Sequence, residues 1–314
     1  MPKRKSSKKP LKLTESNYYT READVAYMSV SQYKSFMKCE AETMARLNGE
    51  YASNESNTSL LVGSYVDSYF EGTLDDFREQ HKEIFKKDGS LKSECIKAEE
   101  IIKKIESDEV FMRFMSGEKQ VILTFELFGV WWKIKIDSFV KDKCITDLKT
   151  ARNTEGLPKW RYDIQGGVYQ KGVELNSEEN YEVSKEDLTE IKKMSVLKEN
   201  DVTESDCEKW FLGKSGIRKD IICDFSIDRK TKVITYKKRL PFYLAVATKE
   251  DIPELNIFQI PQSTLDLALD EVRENLPHII EVKTGKIAPT RCEKCDYCKL
   301  TKKTVIRNYN ELLE

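Results

Sequence analysis

The chain runs to 314 residues, room for one good core and at most a small appendage. Charged residues make up 34%, mean hydropathy is -0.59, and no apolar run approaches the ~20 residues of a membrane helix, so no membrane partner is expected. The net charge of -1 excludes attraction of DNA by the field of the whole protein, so any nucleic-acid site must carry its own local positive potential.

Residues 1–12 are basic with no apolar stretch behind them. They read as a disordered arm, not a secretory signal, which fits a cytoplasmic protein. Residues 31–47 carry Tyr33, Phe36, Met37 and Met44 at helical spacing, with Ser29 or Ser31 as N-cap, Gly49 as the stop and Cys39 on the helix. A polar loop over 54–59 leads to a second helix over 60–70, which sets Gly63 and Asp67 on one face. Residues 92–114 read as a third helix, with Ile101, Ile102 and Ile105 pointing inward.

The pattern then changes to strands. Residues 121–126, 130–139 and 143–149 are rich in β-branched and aromatic side chains and are parted by Phe128-Gly129 and Lys141-Asp142, which predicts a meander of three antiparallel strands. Residues 160–175 return to helix behind Pro158. The charged segment 178–228 carries no motif, 233–238 and 241–248 read as strands, and 263–275 as an amphipathic helix.

Residues i and i+2 of a strand share a face, so Asp147 and Lys149 point one way, and Lys133, Lys135 and Asp137 share a face of the preceding strand. Pairing across the Lys141-Asp142 turn would let Asp137 and Asp147 converge on one Mg2+ or Mn2+, with Lys149 beside it to orient or deprotonate a water. Lys133 and Lys135 would meet the DNA backbone on that face, and Glu126 is a further metal- or DNA-contact candidate. Gln165 and Tyr169 lie one helical turn apart. Gly166 and Gly167 between them cost the helix roughly 1 kcal/mol each, which implies close approach by another backbone or by DNA. An Asp-x9-Asp-x-Lys alone is common on a strand edge. Together with Gly63-x3-Asp67 and Gln165-x3-Tyr169 it points to phosphodiester hydrolysis.

Eight cysteines in a cytosolic-looking chain argue for thiols or a metal site over a disulfide framework. Cys292-x2-Cys295-x2-Cys298 has the spacing with which ferredoxin-type loops hold three corners of a [4Fe–4S] cluster, and Cys39 is the candidate fourth ligand. Zinc on the same four residues is the alternative, and reduced thiols without metal the third reading. Cys95, Cys144, Cys207 and Cys223 read as small buried hydrophobes. His81 and His278 stand alone in the sequence, which argues against histidine-based chemistry.

These residues together resemble the PD-(D/E)xK nuclease superfamily, in its RecB-like branch. Asp137, Asp147-Leu148-Lys149 and Gln165-x3-Tyr169 match its second and third motifs, and Gly63-x3-Asp67 falls where the branch usually has Gly-x3-His. The phrases around Ser31 to Glu40 and Arg291 to Cys298 are similar to phage and prophage exodeoxyribonuclease-like proteins related to RecE, and the cysteine layout to AddB and CRISPR-associated Fe–S nucleases. The final x2 spacing is shorter than is usual there. The resemblance implies an α/β core, a mixed sheet flanked by helices, over residues 13–302, with an insertion at about 177–237 and a tail over 303–314. It implies a Mg2+-dependent 5′→3′ exonuclease resecting duplex DNA ends for phage-type recombination, handing single strands to an annealing protein, with homo-oligomers allowed. Asp67, Asp137 and Asp147 would hold the metal, Lys149 would handle the water, and Gln165 and Tyr169 would position DNA. The competing readings are an endonuclease, a CRISPR-type end-trimming nuclease, and a non-catalytic DNA-binding accessory protein with a structural metal.

Overall fold

The computed structural model describes residues 10–52, 58–196, 203–228 and 230–304, with 306 and 308. Most of the basic arm, the polar loop and the C-terminal tail expected from the sequence lie outside these residues. In chain order, α1 (Arg21–Ala26), α2 (Val30–Lys38) and α3 (Glu40–Asn48) come first, then α4 (Thr58–Glu71), α5 (Leu74–Gln80), α6 (Ser93–Glu106) and α7 (Glu109–Phe114). Strands β1 (Val121–Leu127), β2 (Val130–Ile136), β3 (Ser138–Val140) and β4 (Cys144–Ala151) follow, and then α8 (Tyr162–Asn176). After these come β5 (Glu179–Glu182), α9 (Lys185–Val196), α10 (Glu204–Ser215), β6 (Ile222–Asp228) and β7 (Val233–Lys238). The chain ends through β8 (Phe242–Thr248), β9 (Leu255–Gln259), α11 (Gln262–Lys283) and α12 (Asp296–Leu300). No described helix is long and apolar enough to cross a membrane.

The backbone divides into two compact units. One comprises the described parts of Met1–Ser56, Phe128–Trp131 and Val272–Glu314; the other comprises those of Asn57–Leu127 and Trp132–Glu271. In the first unit, the helix expected over 31–47 is two helices. Ser29 caps α2 by accepting the Gln32 N–H at 3.2 Å, and Gly49 ends α3 in the left-handed region, as the sequence suggests. Between them Cys39 is extended (φ -164°, ψ 107°), which breaks the helix at the candidate ligand. Helix α11 runs eight residues past the predicted end and through Pro277. The proline forfeits one backbone bond, but Val272, Leu276, Ile279 and Val282 bury one helical stripe across the site.

The second unit carries a mixed four-stranded sheet in the order β3-β4-β8-β9, with β3–β4 and β8–β9 antiparallel and β4–β8 parallel. Strand β8 is apolar almost throughout, the mark of a strand covered on both faces. One face packs on α4, α6 and α7 through Leu148, Ala245 and Ala247, against Val62, Tyr65, Val66, Ile101 and Ile105. The predicted meander is not continuous: β1 and β2 form a two-stranded sheet of their own, and the chain leaves it at Asp137 before β3 begins. Simple alternation therefore does not carry the Lys133 and Lys135 face on to Asp137. Trp132, Lys133 and Ile134 are all buried, so both faces of β2 are covered. Lys133, 2% exposed, does not offer the surface cation expected of it. Lys135 is half-buried and Glu126 exposed.

The glycines of α8 are explained by protein packing. A Cβ on Gly167 would lie 2.8 Å from the Leu265 carbonyl oxygen of α11, and one on Gly166 would meet Leu265 and Phe242. At Gly172 it would stand 2.3 Å from the Phe125 ring and 2.9 Å from Ile134. Gly172→Ala is therefore expected to cost about 1–3 kcal/mol by overpacking, read as a lower melting temperature. An unchanged melting curve would show that this contact relaxes freely.

Residues 179–238 build a three-stranded antiparallel sheet, β5-β7-β6, with α9 and α10 over a core of Val183, Ile191, Trp210, Phe211 and Ile234. Lys238, buried, bridges Asp142 at 2.6 Å and Glu179 at 2.8 Å and so ties this sheet to the β3–β4 turn. Asp187 is also buried. Burial raises its pKa, but the Lys214 ammonium, the Ser184 N–H at 3.0 Å and the Tyr181 hydroxyl at 2.9 Å outweigh that and hold it down at about 2. A carboxyl whose folded pKa lies below its unfolded value stabilises above the unfolded value and loses that contribution as pH falls towards the folded one. The melting difference between wild type and Asp187→Asn should thus be full at pH 6 and shrink between about pH 4 and 2. A difference independent of pH would exclude this origin.

Candidate functional site

In the second unit, strand β4 carries the site because its two sides are paired differently. The antiparallel register Ser138↔Thr146 sets Asp137 opposite the Asp147 region, and Leu148 N–H donates to Asp137 Oδ2 at 2.9 Å. Asp147 is buried at 2% exposure. Its Oδ1 accepts from Gln165 Nε2 of α8 at 2.7 Å. Its Oδ2 is held by the Lys149 ammonium at 2.5 Å and, among the described residues, by no other donor. Lys149 also donates to the Leu148 carbonyl at 3.1 Å and stands 5.8 Å from the Tyr162 ring centroid. Tyr169, one turn beyond Gln165, meets the Gln165 side chain and the Lys135 backbone.

Asp67 reaches the same cluster from α4. Burial, helped by the charges of Glu71 and Asp147, pushes its carboxyl up to about 7 against the pull of Lys149. Burial and the Asp147 charge likewise drive Asp137 well above the usual carboxylate range. Burial opposes the charge on Lys149, yet the carboxylates of Asp147, Asp137 and Asp67 outweigh it and raise its pKa. Tyr169 is raised by burial and by Asp147 and Asp137, so its phenol stays neutral. Three carboxylates in mutual electrostatic reach thus stand against one ammonium in contact. Among the described residues only a cysteine set has all its ligand atoms within 4.8 Å of one another, so the three aspartates do not all approach one another that closely. An all-oxygen donor set whose carboxyls raise one another's pKa values fits a hard divalent cation, which would relieve that repulsion.

Sequence reasoning missed three neighbours of this cluster. Tyr162 is three residues before Gln165, hence on its face of α8, a signal the spacing contained. Lys249 interacts with Asp67, and Lys119 with Asp137; burial lowers the pKa of both. Lys249 arrives because β8 runs parallel to β4, its N–H donating to the Ala151 carbonyl at 2.8 Å. That pairing is not written in local sequence.

The first unit gathers the cysteines. Glu40 Oε2 accepts from Thr290 N and Oγ1, both at 2.8 Å, while Ala41 N–H donates to the Thr290 carbonyl at 2.9 Å. These bonds fix Cys39 beside the segment that leads to Cys292. Cys39 Sγ lies 3.6 Å from Cys298 Sγ and 3.7 Å from Cys295 Sγ, and Cys292 Sγ is 4.0 Å from that of Cys298. None is in a disulfide. Backbone N–H groups of Lys294 and Cys295 donate to Cys292 Sγ and draw its pKa down to about 6, favouring a thiolate. His278, alone in the sequence, has a structural partner: its Nε2 is 2.7 Å from Glu40 Oε1.

A search of curated proteins returned no match. Among solved structures, the chain is similar to the crystal structure of a protein named "Putative exonuclease" from Eubacterium rectale, with 36% identity, TM-score 0.73, and coverage of 97% of this chain and 98% of that one. The family model described as a PDDEXK-like domain of unknown function (DUF3799) matches residues 29–209 and 227–301. The mixed sheet flanked by helices is the fold expected from the motifs, and the chain belongs to the DUF3799 family of PDDEXK-like domains.

Proposed function

We propose that the protein is a divalent-metal-dependent deoxyribonuclease that shortens duplex DNA from its ends in the 5′→3′ direction. The observation that carries this reading is the cluster of buried Asp147 and half-buried Asp67 and Asp137 around Lys149, whose ammonium lies 2.5 Å from Asp147 Oδ2. Bound Mg2+ or Mn2+ would neutralise the phosphate and lower the pKa of a water. Asp67, Asp137 and Asp147 would hold that ion. Lys149, kept protonated by the carboxylates, orients the attacking water or donates to a non-bridging phosphate oxygen. Gln165 fixes the Asp147 carboxylate, and the neutral Tyr169 backs Gln165. The neighbour named as an exonuclease supports end-directed cutting; the RecE-like role, in which the single strands left behind pass to an annealing protein, rests on the motif resemblance alone.

For the cysteines, three sulfur separations of 3.6–4.0 Å, with all four sulfurs within 4.8 Å of one another, support one tetrahedral ion, since a Zn–S bond of ~2.3 Å puts ligand sulfurs ~3.8 Å apart. A [4Fe–4S] cube seats each cysteine on a different iron and spreads them further. Zinc is therefore the favoured occupant and a staple its role, closing a loop of about 250 residues between Cys39 and Cys292.

The test is digestion of end-labelled linear duplex against closed-circular duplex, with and without Mg2+. Loss of label from linear DNA only, and only with Mg2+, is the expected result. Cutting of circles would replace the exonuclease reading with an endonuclease.

A further inference from the structure

Beside the aspartate cluster, within the second unit, lies a cavity of about 550 Å³ walled by Leu157, Pro158, Tyr162, Leu244, Phe258 and Ile260. Building on the nuclease reading, we propose that this cavity takes one nucleobase, unstacked from the DNA end next to the scissile phosphate.

Two observations tie the cavity to the cluster. Tyr162 belongs to both, since it lines the cavity and Lys149 Nζ lies 5.8 Å from its ring centroid. Leu244 is the parallel register partner of Asp147, and register partners in a sheet share a face. The cavity thus lies on the strand next to the one that carries Asp147, on the same face of the sheet.

The chemistry of the wall selects a base over a phosphate. Arg161 also lines the cavity, but its guanidinium is committed to Asp163 (3.0 Å) and, in a fork, to Glu271 (3.1 and 2.7 Å). The lining therefore offers an anion no uncompensated cation. It offers instead apolar surface and two aromatic residues, Tyr162 and Phe258, which bind any base through its π-face and without sequence preference. Arg161 is held in the left-handed region (φ 51°) at the end of the 3₁₀ turn Leu157–Trp160, and its ion pairs to Asp163 of α8 and Glu271 of α11 anchor the wall that carries Leu157 and Pro158. Trp160 on the same turn is 65% exposed, a third aromatic residue next in sequence to the lining residue Arg161.

The experiment compares release of the first nucleotide from blunt duplexes whose terminal nucleotides are normal or abasic, both with Mg2+. An abasic end frays more easily, so an enzyme that needs only melting would cut it at least as fast. The pocket predicts the reverse: wild type cuts normal ends about tenfold faster, the scale of one base–aromatic contact. Thr264→Trp, filling the cavity from an exposed position on its rim, and Phe258→Ala, removing part of its wall, should bring the ratio near one by slowing normal ends only. Melting curves establish that each variant folds, and either one alone carries the comparison. Equal wild-type rates on the two ends overturn the pocket and leave the nuclease standing. Variants that slow both ends alike also overturn it. No cleavage of either end by wild type overturns the nuclease reading, and the pocket with it.

Discussion

Lys149→Ala is expected to slow cleavage of linear duplex DNA by about 10²–10⁴-fold at saturating Mg2+, the range that a positioned proton-handling group supplies. Its Nζ is the one ammonium shown in ion contact with Asp147, and three carboxylates raise its pKa. In the proposed reading the side chain, held by Asp147 and the Leu148 carbonyl, is the donor to a phosphate oxygen or water. Lys149→Arg keeps the charge but replaces a compact ammonium with a planar fork, and it should recover little of the rate. Single-turnover rates on end-labelled duplex decide the matter. A loss below tenfold in Lys149→Ala would remove this residue from the chemistry.

Cys298→Ala should take the bound metal from one ion per chain to none. It should also lower the melting temperature by on the order of 10 °C, several kcal/mol for a chain of this size. Cys298 is fully buried, in contact with the thiols of Cys39 and Cys292. Its loss strips a ligand from the proposed staple where no surface side chain can substitute. Elemental analysis reads the ion directly: zinc gives a colourless protein, whereas a cluster gives iron, sulfide and a brown colour. A wild-type protein holding neither zinc nor iron would return the four residues to free thiols.

The parts of the fold legible in the sequence were those that local pattern dictates. Ser29 and Gly49 mark the ends of the α2–α3 stretch because caps are short-range chemistry, and the apolar run of β8 announces a covered strand. The break at Cys39 was not legible, because residues 31–47 keep helical periodicity across it. What opens the chain there is the long-range bonding of Glu40 and Ala41 to Thr290. For the same reason β2 could not be read. Alternation of Trp132, Ile134 and Ile136 suggests one wet face, and only tertiary cover of both faces buries Lys133.

At the site, Asp147, Lys149 and Gln165 were legible because i, i+2 and short helix spacings set them, and the structure brings them into direct contact. Lys249 and Lys119 were not, since each reaches its aspartate through a strand pairing or a loop with no local signature. The glycines of α8 were read correctly as a sign of close approach, and the approaching group is the backbone and side chains of α11.

The aspartate cluster is tested most directly by Asp147→Asn, which keeps shape and the Gln165 contact within reach while removing the charge. Release of label from linear duplex is measured for wild type and variant, with and without added Mg2+, after melting curves show both folded. The account predicts release by wild type with Mg2+ alone. Equal release by Asp147→Asn, or release that ignores Mg2+, would contradict it.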